Sequence, residues 1–384
     1  MIFFEVFRRF TKNRIHGIMK ETGQIKPEDK ENFMNQESQT PHKRRVRYKG
    51  KYPKKFEEKY KELQPEKYKD TIEHVIQKGN TPAGMHISIM VKEILDFLNI
   101  QPGETGFDAT LGYGGHTKAM LQCLNGKGHI YASDVDPEES AKTKKRLAEQ
   151  GFGEELLTVK LQNFCTIDEI AKEVGGFDFI LADLGVSSMQ IDNPKRGFSF
   201  KTDGPLDLRL NQETGISAAR RLDTISREEL AGMLCENSDE PYCEELAKAI
   251  TDEIRRGNHI DTTTKLRQVI EKTLDFLPEK EKKETIKKTC QRTFQALRID
   301  VNHEFEVLYE FMEKLPDALR PSGRVAILTF HSGEDKLVKK ALKAGYKEGI
   351  YSDYAKDVIR PSAKECTQNP RARSTKMRWA IKAE

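Results

Sequence analysis

The chain has 384 residues, of which 33% are charged, and its net charge at pH 7 is only +4. This small net charge does not by itself indicate an acidic partner such as a nucleic acid. Only the distribution of charge along the chain can indicate one. No apolar run approaches the roughly 20 residues that span a bilayer. The six cysteines form neither a C-x-x-C pair nor zinc-ligand spacing to a histidine. We therefore expect a cytoplasmic protein in a reducing compartment, without a metal site.

The N-terminal part differs from the rest in composition. Residues 1–41 are polar with little periodicity and are predicted to be a disordered arm. Residues 42–84 form a basic extension, in which His42–Lys55 carries eight Lys or Arg and no acid, interleaved with tyrosines. This run indicates either an arm that follows a phosphate backbone or a solvated linker. The first 19 residues contain one acid among basic residues, which leaves a mitochondrial presequence open, although serine richness is missing.

A globular pattern begins near residue 85. The segment 87–100 is predicted to be an amphipathic helix, and strands and helices then alternate up to about residue 192. This alternation indicates a parallel sheet covered by helices, an α/β fold of the Rossmann-like class. Residues 196–295 are predicted to be a mainly helical insertion. The pattern then resumes, so residues 85–195 and 296–384 are assigned to one α/β domain.

The stretch FDATLGYGGHT, residues 107–117, places glycines directly after an apolar strand pattern. Glycine lets the backbone approach a ligand closely and adopt positive φ. The dinucleotide pattern G-x-G-x-x-G would require a third glycine where Thr117 stands. Asp108 precedes the loop, and a carboxylate there opposes a pyrophosphate. The loop therefore favours S-adenosylmethionine (SAM), which has no phosphate and carries a sulfonium and an ammonium, over NAD. A tight turn with glycines for packing is the alternative.

Other strands of the predicted sheet also end in acids. Asp134 ends the second strand and can accept hydrogen bonds from ribose hydroxyls, in SAM as in NAD, whereas Asp136 is expected to cap the next helix. Phe164 follows the third strand and either covers an adenine or belongs to the core. Asp183 leaves the fourth strand at the carboxyl edge, where open α/β sheets bind ligands. We therefore expect a ligand site at this edge.

A long polar connection follows Asp183. It combines basic and aromatic residues, with Arg196 and Arg209 close in sequence to Phe198 and Phe200. One interpretation is a long polar connection with no role in binding. A loop rich in Gly, Asp, Arg and Phe, however, favours ligand binding.

The C-terminal part adds a histidine and a basic segment. His331 and Ser332 follow a predicted strand, but they are adjacent and lack a nucleophile elbow, which disfavours a hydrolase triad. They are expected to line the site or to cap the next helix. The stretch NPRARSTKMRW contains Arg371 and Arg373, and such basic segments beside a SAM site indicate a nucleic-acid substrate.

Six motifs occur in this order over about residues 86–380: DATLGYGGHT, DVDP, DLGVSSMQIDNPKRGFSFKTDGPLDLRL, QALRIDVNHEFEVL, RVAILTFHSGEDKLVKK and NPRARSTKMRWA. With them the chain resembles the ribosomal small-subunit RNA methyltransferase H family, which methylates N4 of a cytidine in 16S rRNA. Two departures stand out. CENSDEPYCEEL stands where the family usually has Tyr-Gly-Glu-Glu, and Gly333 stands where leucine is usual. The first 80 or so residues lie outside the family pattern.

The resemblance implies a Rossmann-like class I SAM-dependent methyltransferase that acts on ribosomal RNA of the small subunit, with a helical insertion for substrate binding and a homodimeric assembly. The residues it implies as SAM contacts are Gly114, Gly115, His116, Asp134, Phe164, Asp183 and Gln190. The candidates for binding the RNA are Phe198, Phe200, Arg196, Arg209, His331, Arg371 and Arg373.

Methylation of an exocyclic amine needs hydrogen-bond acceptors at the nitrogen, because its lone pair is delocalised and its proton has to leave. Asp183 is the candidate catalytic acceptor, with the Leu184 carbonyl beside it, and Phe198 or Phe200 could stack on an extruded cytosine. Three other functions stay open at this point. The first is a SAM-dependent methyltransferase that acts on another RNA site, on a small molecule or on a protein. The second is a non-catalytic RNA-binding module, and the third is an NAD-dependent dehydrogenase.

Overall fold

The computed structural model describes residues 88–384. The disordered arm and the basic extension predicted for residues 1–84 therefore lie outside the described residues. Within residues 88–384, no helix is both long enough and apolar enough to cross a membrane.

A seven-stranded sheet with the order β3-β2-β1-β4-β5-β7-β6 forms the centre of the described structure. The strands are β1 Thr105–Asp108, β2 His129–Asp134, β3 Leu157–Leu161, β4 Phe177–Asp183, β5 Leu319–Thr329, β6 Tyr351–Tyr354 and β7 Lys376–Lys382. Strands β1 to β5 run parallel, and β7 pairs antiparallel with both β5 and β6. The chain moves outward from β1 to β3 and returns to β4 on the other side of β1. This order creates a topological switch point between β1 and β4, where such sheets bind ligands.

Helices cover both faces of the sheet. Those of the α/β part are α1 Val91–Leu98, α2 Gly115–Leu124, α3 Pro137–Glu149, α4 Ile167–Val174, α5 Ser188–Asp192, α11 Glu304–Ala318, α12 Ser332–Lys347 and α13 Ala363–Gln368. One apolar cluster joins the sheet to α1 and α2, and another joins it to α4, α11 and α12. The strand β4, FDFILAD, is an almost continuous apolar run because helices bury both of its faces. The predicted Rossmann-like α/β class with a helical insertion is confirmed.

A separate group of helices lies between β4 and β5 in sequence. They are α6 Ala218–Thr224, α7 Arg227–Ser238, α8 Cys243–Arg255, α9 Thr263–Thr273 and α10 Glu279–Asn302. They bury an apolar cluster of their own. The domain boundary expected at residue 295 falls inside α10, which continues to Asn302 and ends at His303 with a φ of 52°.

Local side-chain hydrogen bonds explain where several helices begin. Ser226 accepts a hydrogen bond from the Glu229 N–H at the start of α7. The Glu229 side chain forms an ion pair with Arg221. Thr262 caps α9 by accepting a hydrogen bond from the Lys265 N–H. Residues 321–323 lie inside β5, where its pairing with β4 is irregular.

Candidate active site

A cavity of about 500 Å³ opens at the carboxyl edge of the sheet. Its floor is formed where β1, β2 and β4 end, each in an aspartate. All the residues that the family resemblance implied as cofactor contacts line it: Gly114, Gly115, His116, Asp134, Phe164, Asp183 and Gln190. We call this the cofactor end of the cavity. Three arginines also line the cavity, Arg298, Arg371 and Arg373, and we call them its basic end.

The glycines of the loop after β1 serve close packing within the protein. Gly114 has a φ of 74°, and a Cβ there would lie 2.7 Å from Cγ2 of Thr143 on α3. A Cβ on Gly115 would lie 2.0 Å from the Ser88 hydroxyl. The Gly112 N–H donates to Asp134 across 2.7 Å. The glycines therefore let the loop sit against α3 and the segment before α1, which forms the rim of the cofactor end.

Asp134 lies at the edge of the cavity without a cationic partner among the described residues. Its carboxylate accepts hydrogen bonds from the N–H groups of Gly112 and Asp136. Burial raises the pKa of Asp134 to about 6, in spite of these two hydrogen bonds. Above that pH it is an anion with acceptor capacity that faces the cavity, which suits hydroxyl donors and cations.

Asp183 and His116 form a polar pair at the cofactor end. His116 Nε2 lies 2.9 Å from the Ile89 carbonyl, so that nitrogen carries a proton. Its Nδ1 faces Asp183 Oδ2 at 3.4 Å, and Asp183 Oδ1 is buried without a hydrogen-bond partner among the described residues. Burial raises the pKa of Asp183 to about 6, and His116 opposes this rise. Asp183 can therefore take up or release a proton near pH 6.

Phe164 lines the cavity beside the end of β3, in a short 3₁₀ turn. Its ring meets Phe311 edge-on, with 5.2 Å between ring centroids. The ring therefore packs against the core and also presents apolar area to the cavity, and its contact with an adenine stays a prediction.

Gln190 and Arg196 belong to a buried network around Asp136. Gln190 closes a capping box with Ser187 at the start of α5 and donates to Asp136 across 3.1 Å. Arg196 donates to the same carboxylate across 2.7 Å and to backbone carbonyls of Arg209 and Leu210. Asp136 also caps α3, as expected. Arg196, expected to bind substrate, is instead buried, because its guanidinium compensates the buried Asp136 charge.

Three further residues expected to bind substrate do not reach the cavity. Phe198 is buried in the apolar cluster of the helical group, and Phe200 packs edge-on against Phe294 at 5.8 Å. Arg209 donates two hydrogen bonds to the Asp207 carboxylate, from Nε and Nη2, at 2.8 Å each. Apolar packing and a local ion pair account for these side chains. The cavity is therefore formed without the aromatic platform that we expected.

The basic end contains two arginines predicted from the sequence, Arg371 and Arg373, and one that was not predicted, Arg298. Arg371 donates to Asp192 across 2.9 Å, whereas Arg373 is exposed and makes no hydrogen bond or ion pair within residues 88–384. Arg298, at the end of α10, bonds both carboxylate oxygens of Glu304, at 2.7 and 2.8 Å. Both lie in the motif QALRIDVNHEF, so the signal was present, but only the break between α10 and α11 brings them together.

His331 caps α12 and faces Glu334, with its Nε2 3.1 Å from a Glu334 oxygen. It lies behind the cavity wall, and Glu334 itself lines the cavity. Ligand atoms of Glu304, His331 and Glu334 lie within 4.8 Å of one another. A cation could use such a group, but both Glu304 oxygens already bond Arg298, which supplies the positive charge at this place.

Comparison with known proteins agrees with this geometry. The sequence profile of the MraW methylase family matches residues 83–383. A protein of Agathobacter rectalis called ribosomal RNA small subunit methyltransferase H 1 is 84% identical over 351 residues, which are 91% of this chain and 100% of the relative. One of the same name from Lachnoclostridium phytofermentans is 71% identical, over 90% of this chain and 95% of the relative. The ribosomal RNA small subunit methyltransferase H of Acidobacterium capsulatum is 36% identical, over 77% and 98% respectively. The chain belongs to the MraW methylase family.

Proposed function

We propose that this methyltransferase transfers the methyl group of SAM to the N4 amine of a cytidine in small-subunit (16S) ribosomal RNA. The relatives are named ribosomal RNA small subunit methyltransferase H 1, and the match to this chain covers nearly their full length. The observation that carries the proposal is the cavity itself, which is lined by carboxylates and a glycine loop and also by arginines.

The residues of the cofactor end fit SAM. The cavity presents the carboxylate of Asp134, which accepts from the glycine-loop N–H of Gly112, and the carboxylate of Asp183. Such a lining suits a ligand with ribose hydroxyls and two cationic groups, and it opposes a pyrophosphate. Asp134 would hold the ribose hydroxyls, Asp183 with His116 the cationic part, and Phe164 the adenine. When bound, SAM supplies an electrophilic methyl group on its sulfonium.

The residues of this chain then have to orient the amine and take up its proton. The Asp183 side chain is partly exposed at the cavity, whereas its oxygen Oδ1 is buried without a hydrogen-bond partner among the described residues. A carboxylate with a pKa of about 6 is ionised at neutral pH and can accept a proton from an amine that becomes positively charged. Its Oδ2 lies 3.4 Å from His116 Nδ1.

The basic end is suited to a phosphate backbone. Arg371 is held by Asp192, and the exposed Arg373 beside it has no competing partner. An arginine of this kind binds phosphate without sequence preference and positions the strand. The expected homodimer and the role of residues 1–84 in RNA binding stay predictions.

Deletion of the gene tests this function in the cell. We expect one N4-methylated cytidine to disappear from the small-subunit RNA and to return when the intact gene is supplied. An Asp183→Asn gene is expected to restore little or none of it, because the amide cannot accept the proton. An unchanged methylation map after deletion would refute the assignment to ribosomal RNA.

A further inference from the structure

Arg298 is held rigidly at the wall of the cavity by a fork of two hydrogen bonds. Its Nε and Nη2 donate to the two oxygens of Glu304. Its side chain is only 16% exposed, yet it lines the cavity, and its Nη1 makes no hydrogen bond within residues 88–384. The guanidinium therefore presents its uncommitted Nη1 amino group to a ligand.

Arg298 and Asp183 line the same cavity, and the buried Glu334 links their positions. Glu334 accepts a hydrogen bond from the Phe330 N–H just after β5, whose end pairs with β4 at Asp183. A Glu334 oxygen also lies within 4.8 Å of an oxygen of Glu304, the partner of Arg298. Accordingly, Glu334 raises the pKa of Asp183, and Arg298 helps to hold the pKa of Glu334 below its usual range. A ligand that reaches the Asp183 carboxylate therefore lies in the same part of the cavity as a cationic donor.

The edge of cytosine matches this pair of groups. It offers the N4 amine as a donor, followed by the acceptors N3 and O2, whereas uracil has an acceptor at position 4 and a donor at N3. A carboxylate at the amine and an N–H donor at N3 satisfy cytosine, whereas O2 is an acceptor in both bases. With uracil each group would face its own kind, which leaves buried polar groups unpaired.

We propose that Arg298 reads the target base by donating from Nη1 to N3 of the cytosine, the position at which uracil carries a proton. The inference rests on the proposed function and adds the residue that selects cytosine. Glu304 is then a positioning residue, because it fixes the plane of the guanidinium. Lysine could keep the charge beside Glu304, but it cannot bond both Glu304 oxygens and the base in this geometry.

Base analogues test this contact. Small subunits are reconstituted from ligated 16S RNA that carries cytidine, 3-deazacytidine or 2-thiocytidine at the target position, and single-turnover methyl transfer is measured with the full chain. Wild type is expected to lose about 10- to 100-fold in rate on 3-deazacytidine, which lacks the N3 acceptor, the range for a lost hydrogen bond to a charged group; 2-thiocytidine keeps N3 and is expected to react nearly as cytidine does. Arg298→Lys is expected to lose a similar factor on cytidine and little more on 3-deazacytidine.

A matched control is available in the same domain. Arg324 also donates two hydrogen bonds to one glutamate, from Nη1 and Nη2 to Glu104 at 2.8 and 2.9 Å, and it bonds backbone carbonyls such as that of Leu98. Its side chain is 18% exposed, but it does not line the cavity. Arg324→Lys should therefore show the full wild-type penalty on 3-deazacytidine. The inference is overturned if wild type methylates 3-deazacytidine as fast as cytidine, or if the penalty on 3-deazacytidine in Arg298→Lys equals that of wild type. Failure of wild type on unmodified subunits would instead refute the proposed function.

Discussion

Replacing Arg196 by methionine should destabilise the fold and leave RNA binding intact. The guanidinium bonds the Asp136 carboxylate, which is only 1% exposed, and two backbone carbonyls. Breaking a buried ion pair by removing one partner costs about 3–5 kcal/mol. Asp136 would still accept from two N–H groups of α3 and from the Gln190 amide. We therefore expect the lower value, about 3 kcal/mol, and a Tm lower by roughly 5–10 °C for a domain of this size.

Arg373→Met is the matched comparison, because Arg373 is exposed and unpaired within the described residues. Thermal unfolding and binding to small subunits are measured for both variants. Arg196→Met should lower the Tm with unchanged RNA affinity per folded molecule, and Arg373→Met should do the reverse, with a shallower salt dependence of binding. If Arg196→Met keeps its Tm and loses RNA affinity, Arg196 binds substrate and our structural assignment is wrong.

Two further predictions concern the cofactor end. Gly114→Ala should weaken SAM binding at least tenfold, because its Cβ would lie 2.7 Å from Thr143. Gly126→Ala controls for backbone strain, because Gly126 has a φ of 73° but open space around it. If calorimetry shows that both substitutions weaken SAM binding equally, the packing argument is contradicted. SAM affinity should fall below about pH 6, up to tenfold per pH unit for each carboxylate that contacts SAM and so up to a hundredfold for both, because Asp134 and Asp183, both with a pKa raised to about 6, take up protons there and lose their charge. An affinity that stays flat from pH 7 to pH 5 would show that neither carboxylate contacts SAM.

Much of the fold and of the cofactor end could be predicted because their signals are local. The alternation of strands and helices follows from hydrophobic periodicity. The three aspartates that end β1, β2 and β4 are each visible as an acid after an apolar run, and parallel strands bring such residues to one edge. The Asp136 cap is likewise a short-range pattern.

The errors concern contacts between residues far apart in sequence. Arg196 is 60 residues from Asp136, and nothing in its neighbourhood distinguishes a buried counter-ion from a phosphate contact. Phe198 and Phe200 were expected at the substrate because aromatic residues serve both cores and stacking, and only the packing of the helical group decides between them. The fork of Arg298 on Glu304 depends on the helix break between them, which no composition or period announces.

The most direct test of the central claim is a labelled methyl transfer in vitro. The purified chain is incubated with methyl-labelled SAM and small subunits from the deletion strain, and the RNA is digested to nucleosides for mass spectrometry. We predict that the label appears on the N4 amine of a single cytidine of the small-subunit RNA. Label at another atom or on another molecule, or no label on RNA that lacks the modification, would contradict the account.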